Sequence, residues 1–347
     1  MKIKVKNALV SAAVASLVLV TVLSTNSVKA AVGKTTRTSG TDRYSTAAAV
    51  ANSNWENGSD NVVLASGEGY ADGLSASTLA KKLDAPILLS TSNMLSKDAE
   101  NAISMLKPKN IYIVGGTASI SEKIRNNLKN KYNIIELGGN TRYETNVKVA
   151  NKLVELGVNP DNVLAVSGEG FSDAISAAPI AAAKGEILLL VNNDEASIKS
   201  AISFLKGTKS KVTIIGTDKV VNDKIYNVLG ASERIDGGKD RFDTNLNILN
   251  AFWRDLNFDK MYIASAEFSD PDDMYADALV ASAISGKYSA PLLLIDKDLS
   301  TATENAVTYI KNNAKLNTDK QLIGGTEVIS QNFQDWITPI YKRSMIN

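Results

Sequence analysis

The sequence contains no cysteine and no histidine in 347 residues. Without cysteine there is no disulfide framework, no thiol nucleophile, no thiolate metal site and no lipidated N-terminal cysteine. Without histidine there is no Ser-His-Asp triad, no His-ligated zinc and no ordinary general base. Neither sign of charge dominates: 38 Lys and Arg stand against 37 Asp and Glu. Beyond the first thirty residues there is no long apolar run, so no later segment is expected to span a membrane.

Those first thirty residues read separately. Lys2, Lys4 and Lys6 open the chain, Ala8 to Leu23 is an uncharged apolar run, and Ser24 to Ala30 is short and small-residue. This is the order of a secretory signal. The 16-residue apolar run falls short of the roughly 20 residues a spanning helix needs. Cleavage is expected after Ala30, giving a secreted protein. Loss of Lys2, Lys4, Lys6 and Lys29 leaves 34 basic against 37 acidic residues, a net charge of −3. A near-neutral surface has no bulk attraction for nucleic acid or an anionic membrane. Any anion must therefore be held by local groups.

The remaining chain repeats itself. Gly40-Thr41-Asp42-Arg43-Tyr44-Ser45-Thr46 returns as Gly139-Asn140-Thr141-Arg142-Tyr143-Glu144-Thr145 and as Gly238-Lys239-Asp240-Arg241-Phe242-Asp243-Thr244. The three arginines are spaced by 99 residues, twice. Ser66-Gly67-Glu68-Gly69-Tyr70-Ala71-Asp72 matches Ser167-Gly168-Glu169-Gly170-Phe171-Ser172-Asp173, and Tyr275-Ala276-Asp277 follows a longer loop in the third copy. Pro86-Ile87-Leu88-Leu89 answers to Glu186-Ile187-Leu188-Leu189 and Pro291-Leu292-Leu293-Leu294. A Gly115-Gly116-Thr117 turn returns as Gly216-Thr217 and Gly324-Gly325-Thr326. A period this long exceeds a solenoid unit of ~20–50 residues and suits a small domain. The copies are placed at 37–136, 137–234 and 235–347, after a signal at 1–30.

Within the first copy, 61–65, 86–90, 111–114 and 133–137 read as short, continuously apolar strands covered on both faces. Ile120, Ile124 and Leu128 form one helix face, repeated as Val221, Ile225, Leu229 and as Ile329, Phe333, Ile337. Ser121 and Ser330 stand where helix caps belong. Strand and helix in alternation predict an α/β fold with parallel sheets, Rossmann-like in topology.

In such sheets ligands sit at the carboxyl ends of strands, and the recurring motifs fall there. Arg43, Arg142 and Arg241 each follow a glycine turn and open a helix, a pattern suited to phosphate or carboxylate. The same arginines also suit structural salt bridges to Asp72, Asp173 and Asp277, and the sequence leaves both readings open. Tyr44, Tyr143 and Phe242 read as packing residues. Asp270, Asp272 and Asp273 lack the spacing of a calcium loop and read as a solvated acidic loop. Gly67-Glu68-Gly69 is not a dinucleotide fingerprint, so no cofactor is expected, nor any metal. Glu68, Glu169 and Glu267 are the carboxylates a wall hydrolase would draw on. No second carboxylate pairs with them recognisably, so no catalytic residue is assigned.

Taken together, the four ordered motifs resemble the type 2 cell wall-binding repeat family of clostridial and related Gram-positive surface proteins. The resemblance covers nearly all of the chain after the signal. It implies three Rossmann-like repeats packed as an intrachain pseudo-threefold trimer, with non-covalent anchoring to an anionic cell-wall polysaccharide as the function. It implies a surface location and an anchor module with no added functional domain. A surface-layer component or adhesin contacting other surface proteins is the alternative. Glu186 in place of proline, the single glycine at Gly216 and the long loop before Asp277 are local departures from the pattern.

Overall fold

A computed structural model describes residue 33 and residues 35–267, 276–296 and 298–338. The expected signal at 1–30, the acidic residues Asp270, Asp272 and Asp273, and Tyr275 lie outside them.

Strand β1 (Thr35–Thr38) and helix α1 (Arg43–Asn54) open the described chain. Strands β2 (Asn61–Ser66), β3 (Ile87–Ser90), β4 (Asn110–Val114) and β5 (Asn133–Leu137) then form a parallel sheet in the order β3-β2-β4-β5. Helices α2 (Tyr70–Leu83), α3 (Lys97–Leu106) and α4 (Glu122–Lys129) connect them. The second repeat follows the same plan. Its sheet is β7-β6-β8-β9, built from β6 (Asn162–Ser167), β7 (Ile187–Val191), β8 (Lys211–Ile215) and β9 (Ala231–Ile235). Its helices are α5 (Arg142–Glu155), α6 (Phe171–Lys184), α7 (Lys199–Thr208) and α8 (Asp223–Val228). The third repeat has α9 (Arg241–Ala251), β10 (Lys260–Ser265), α10 (Ala276–Tyr288), β11 (Leu292–Ile295), α11 (Thr301–Asn313), β12 (Asp319–Ile323) and α12 (Gln331–Ile337).

The expected strands are present within a residue or so. Their central residues, such as Val63, Leu64, Ile113 and Leu189, are fully buried, as strands covered on both faces must be. The repeated faces beginning at Ile120, Val221 and Ile329 are buried too. Ser330 caps α12 through the Phe333 N–H at 2.9 Å, and Asn222 caps α8 through Ile225. Ser121 occupies the same position but makes no side-chain cap. Its backbone N–H donates to Ser92 O, tying the helix start to the preceding loop instead.

The third sheet is completed from the other end of the chain. Its order is β1-β12-β10-β11, so β1 takes the place that β5 and β9 hold in the other sheets. Arg37 on β1 stands opposite Leu322, as Arg234 on β9 stands opposite Ile214. Both guanidinium groups donate to the first glycine carbonyl of the neighbouring turn, Arg37 to Gly324 O at 2.8 Å and Arg234 to Gly216 O at 2.9 Å. The first repeat reaches the same end by another route. Glu136 stands at the equivalent place, and buried Arg125 from α4 pairs with it at 2.7 Å while donating to Gly115 O at 2.8 Å.

Helices α2, α6 and α10 pack against one another pairwise and close a triangle at the centre of the molecule. Their small residues let them approach. Ser77 and Ser282 hydroxyls meet at 3.2 Å, and a Cβ on Gly286 would come 2.7 Å from Ala182 Cβ. Each repeat's first helix lies on its own edge strand and on the central helix of the repeat before it: α5 on β7 and α2, α9 on β11 and α6, α1 on β3 and α10. Asn146 joins one such boundary. Its amide donates to Ser75 Oγ on α2 and to Leu188 O, and its oxygen accepts from Leu190 N, so it satisfies the open edge of β7. Asn245 does the same with Ser176, Leu292 and Leu294. The three α/β repeats thus form an intrachain pseudo-threefold arrangement rather than a row.

Candidate functional site

The arginine motif is a helix start whose parts each have a task. Asp42, Thr141 and Asp240 cap α1, α5 and α9 by accepting backbone N–H bonds. Thr46, Thr145 and Thr244 hydroxyls accept from Gly40, Gly139 and Gly238 N–H at 2.9–3.0 Å. Tyr143 and Phe242 are buried, and Tyr44 is partly buried against the core. A Cβ on Gly67 would come 2.7 Å from the Tyr44 ring, and one on Gly168 would come 2.9 Å from the Tyr143 ring. The packing reading of these aromatics therefore fits the geometry.

All three arginines are half-buried and donate to the loop that follows their repeat's first central strand. Arg43 reaches Gly67 O at 2.5 Å, Arg142 reaches Gly168 O at 2.5 Å, and Arg241 reaches Ala266 O at 2.9 Å. The same groups also face backwards. Arg142 donates to Tyr70 Oη at 2.8 Å and lies over its ring at 5.2 Å. Arg241 lies 5.6 Å over the Phe171 ring. Tyr70 and Phe171 open the central helices of the preceding repeats, so each contact crosses a boundary.

Asp72, Asp173 and Asp277 sit in the first turns of α2, α6 and α10. Each carboxylate covers a glycine turn. A Cβ on Gly115 would stand 2.6 Å from Asp72 Oδ2, and Cβ atoms on Gly216 and Gly324 would stand 2.8 Å from Asp173 and Asp277. These three glycines also have φ of +127°, +111° and +126°, where side chains are strained. Only the first glycine of the Gly-Gly pair carries both demands, which is why Thr217 is tolerated in the second copy.

The salt-bridge reading, left open by the sequence, concerns contacts between the copies. Two of the acids face an arginine of the next repeat: Asp72 feels the charge of Arg142, as well as that of Arg125 in its own repeat, and Asp277 feels that of Arg43. Among the described residues the arginines donate to carbonyls and to Tyr70, and the acids are held by hydroxyls. Ser119 Oγ donates to Asp72 at 2.6 Å, joined by Thr145 from across the boundary. Thr46 serves Asp277. Thr244 instead turns back to Asp240 O at 2.9 Å, and Asp173 keeps a bond from Ser172. Burial raises all three carboxyls above the ordinary range, Asp173 to about 6.

At the first two boundaries the available helix N-terminus is also not the arginine's own. Helices α1, α5 and α9 are capped by side chains, whereas α2 and α6 begin at Gly69 and Gly170 with no side-chain cap. Their first N–H groups open towards the boundary. Beside α2 this leaves a cleft of about 480 Å³ lined by Gly69, Tyr70, Asp72, Ser119, Asn140 and Arg142. A second cleft of about 340 Å³, lined by Arg43, Thr46 and Asp277, marks the boundary that closes the ring. Tyr70, Ser119 and the threonines were not singled out from the sequence. The recurring aromatic before Asp72 and Asp173 was the available signal for the first, and Ser119 had none.

Two of the carboxylates a hydrolase would draw on are engaged in loop contacts. Glu68 Oε2 accepts from Ser92 N at 2.8 Å, and Glu169 Oε1 accepts from Asn192 Nδ2 at 3.0 Å. Each ties the loop after one strand to the loop after its neighbour.

Comparison with known proteins places this geometry. The chain is 29% identical over 282 residues to the amidase enhancer of Bacillus subtilis strain 168, covering 81% of this chain and 37% of that one. It is 30% identical over 314 residues to the N-acetylmuramoyl-L-alanine amidase LytC of the same organism, covering 89% and 58% respectively. The chain thus spans less than two thirds of either relative. Among solved structures, Cwp6 from Clostridium difficile superposes with a TM-score of 0.78 at 23% identity, covering 90% of this chain and 48% of that one. Cwp8 from the same organism gives 0.76 at 27%, covering 88% and 51%. The profile of Cell wall binding domain 2 matches three times, at residues 37–125, 136–226 and 234–334. With three matches that take in most of its length, the chain belongs to the cell wall binding domain 2 family.

Proposed function

We propose that this chain, exported behind residues 1–30, anchors non-covalently to an anionic secondary polymer of the Gram-positive wall and does no chemistry of its own. The observation that carries the reading is the repeated boundary. At the first two boundaries it sets a half-buried arginine beside the uncapped start of a central helix at the carboxyl end of the strands. Guanidinium and helix N–H groups together suit phosphate or carboxylate. A repetitive polymer meeting several such boundaries in one chain gains avidity without new contacts.

The test is sedimentation with purified Gram-positive walls before and after extraction of the anionic polymer. Binding should be lost on extraction. Arg43→Ala should weaken it modestly, and the triple change with Arg142→Ala and Arg241→Ala far more. Retained binding on extracted walls points to peptidoglycan or to a surface protein. A triple variant that melts like the parent and still binds walls equally overturns the arginine assignment.

A further inference from the structure

We propose that the boundary between the first and second repeats is the dominant ligand site, and that Tyr70 and Ser119 make it so by recognising the hydroxyls of a sugar bearing one anionic group. This rests on the wall-binding reading above.

The first two boundaries share a backbone plan but not their hydroxyls. At the first, Tyr70 Oη accepts from Arg142, Ser119 Oγ donates to Asp72, and Thr145 also reaches Asp72. These groups line the 480 Å³ cleft. At the closing boundary Tyr275 holds the sequence place of Tyr70 and lies outside the described residues, while Val328 takes the place of Ser119 and lines the cleft of about 340 Å³ with Asp277 and Thr46. At the second, Phe171 replaces Tyr70, Val220 replaces Ser119, and Thr244 points back into its own helix.

An anionic sugar presents one charge and several hydroxyls. At the first boundary Arg142 and the N–H groups of α2 face the charge. Asp72, Ser119, Tyr70 and Asn140 offer donors and acceptors to the hydroxyls. A site built to bond hydroxyls discriminates strongly, because its polar groups are left unmatched when the ligand or the site loses one. The second boundary, with phenylalanine and valine in those positions, keeps the arginine and loses the hydroxyl recognition.

The molecule itself supplies the variants. Tyr70→Phe with Ser119→Val gives the first boundary the residues of the second, which the same scaffold already accommodates. Phe171→Tyr with Val220→Ser is the reverse graft. Affinity for purified Gram-positive walls is measured for the exported chain, with thermal melting alongside. Loss of two hydroxyl contacts should weaken Tyr70→Phe/Ser119→Val on the order of tenfold, and the reverse graft should tighten binding severalfold. Should the double variant melt early, Ser119→Val alone decides, since valine already stands at 220 and 328. Loss of parent binding after hydrofluoric acid treatment of the walls makes the anion a phosphate; retention there, with loss once all anionic polymer is extracted, makes it a carboxylate. If Tyr70→Phe/Ser119→Val binds like the parent while the triple arginine variant does not, this proposal falls and the wall-binding reading stands. If the parent does not bind walls, both fall.

Discussion

Replacing Asp173 by asparagine should stabilise the fold above pH 6 and leave it nearly unchanged near pH 4. Asp173 is covered by the Gly216 turn and holds one bond, from Ser172, while Thr244 is turned away from it. Burial lifts its carboxyl from 3.8 to about 6. At ~1.4 kcal/mol per pKa unit, a shift of that size corresponds to about 3 kcal/mol. An acid whose folded pKa lies above its unfolded value binds its proton more tightly when folded. The stability it carries is full below the unfolded pKa and is lost as pH rises through about 6. Asparagine keeps the shape and an acceptor for Ser172 but never ionises. Urea unfolding of parent and variant across this range should therefore show a difference growing from near zero to as much as about 3 kcal/mol. Asp72→Asn should gain less, because Ser119, Thr145 and Arg142 already support the charged form. A difference that stays flat with pH, or an Asp173→Asn protein less stable at pH 8, would show the reasoning to be wrong.

Gly115→Ala should cost about 2–4 kcal/mol, since it combines a positive φ with a clash against Asp72. Gly116→Ala should cost under about 1 kcal/mol, as threonine stands there in the second copy; denaturant melts compare the two. Asn146→Ala should cost about 2–3 kcal/mol by leaving Leu188 O and Leu190 N on the β7 edge without their side-chain partner, read in the same way. Arg37→Ala removes bonds to Gly324 O, Gly325 O and Gln334. Hydrogen exchange should rise at β1 and β12 well before it rises at β2 and β4.

The repeat, the strands and the helix faces were legible because each is a local pattern written three times. The arginines were correctly placed at helix starts, since Gly-x-x-Arg contains its own cap. Which arginine meets which acid was not legible. Asp72 and Arg43 belong to one repeat in sequence, yet Asp72 meets Arg142, because each first helix leans on the repeat before it. The strand β1 was missed for a related reason. Four residues, TTRT, carry little apolar signal, and their partner lies at the far end of the described chain. The exchange of Arg234 for the Arg125–Glu136 pair was equally hidden. The charge is conserved in space at the glycine turn while its place in the sequence changes.

Closure gives the number of repeats a physical meaning. Each sheet's fourth strand runs straight into the first helix of the next repeat, and that helix packs on the central helix it has just left. A repeat taken alone lacks what its neighbour supplies at the boundary, as Arg142 of the second repeat meets Asp72 and Tyr70 of the first. The last boundary can form only because Thr35–Thr38 returns to pair with residues 320–323 of β12. The clefts are therefore properties of the ring and not of the repeat. They also escape the constraint that keeps the cores alike. Strand interiors must all be buried, so Leu64, Ala165 and Ile263 stay apolar. Boundary hydroxyls face open clefts, where Ser119, Val220 and Val328 each fit the same turn. Divergence there changes what is held without disturbing what holds the ring together.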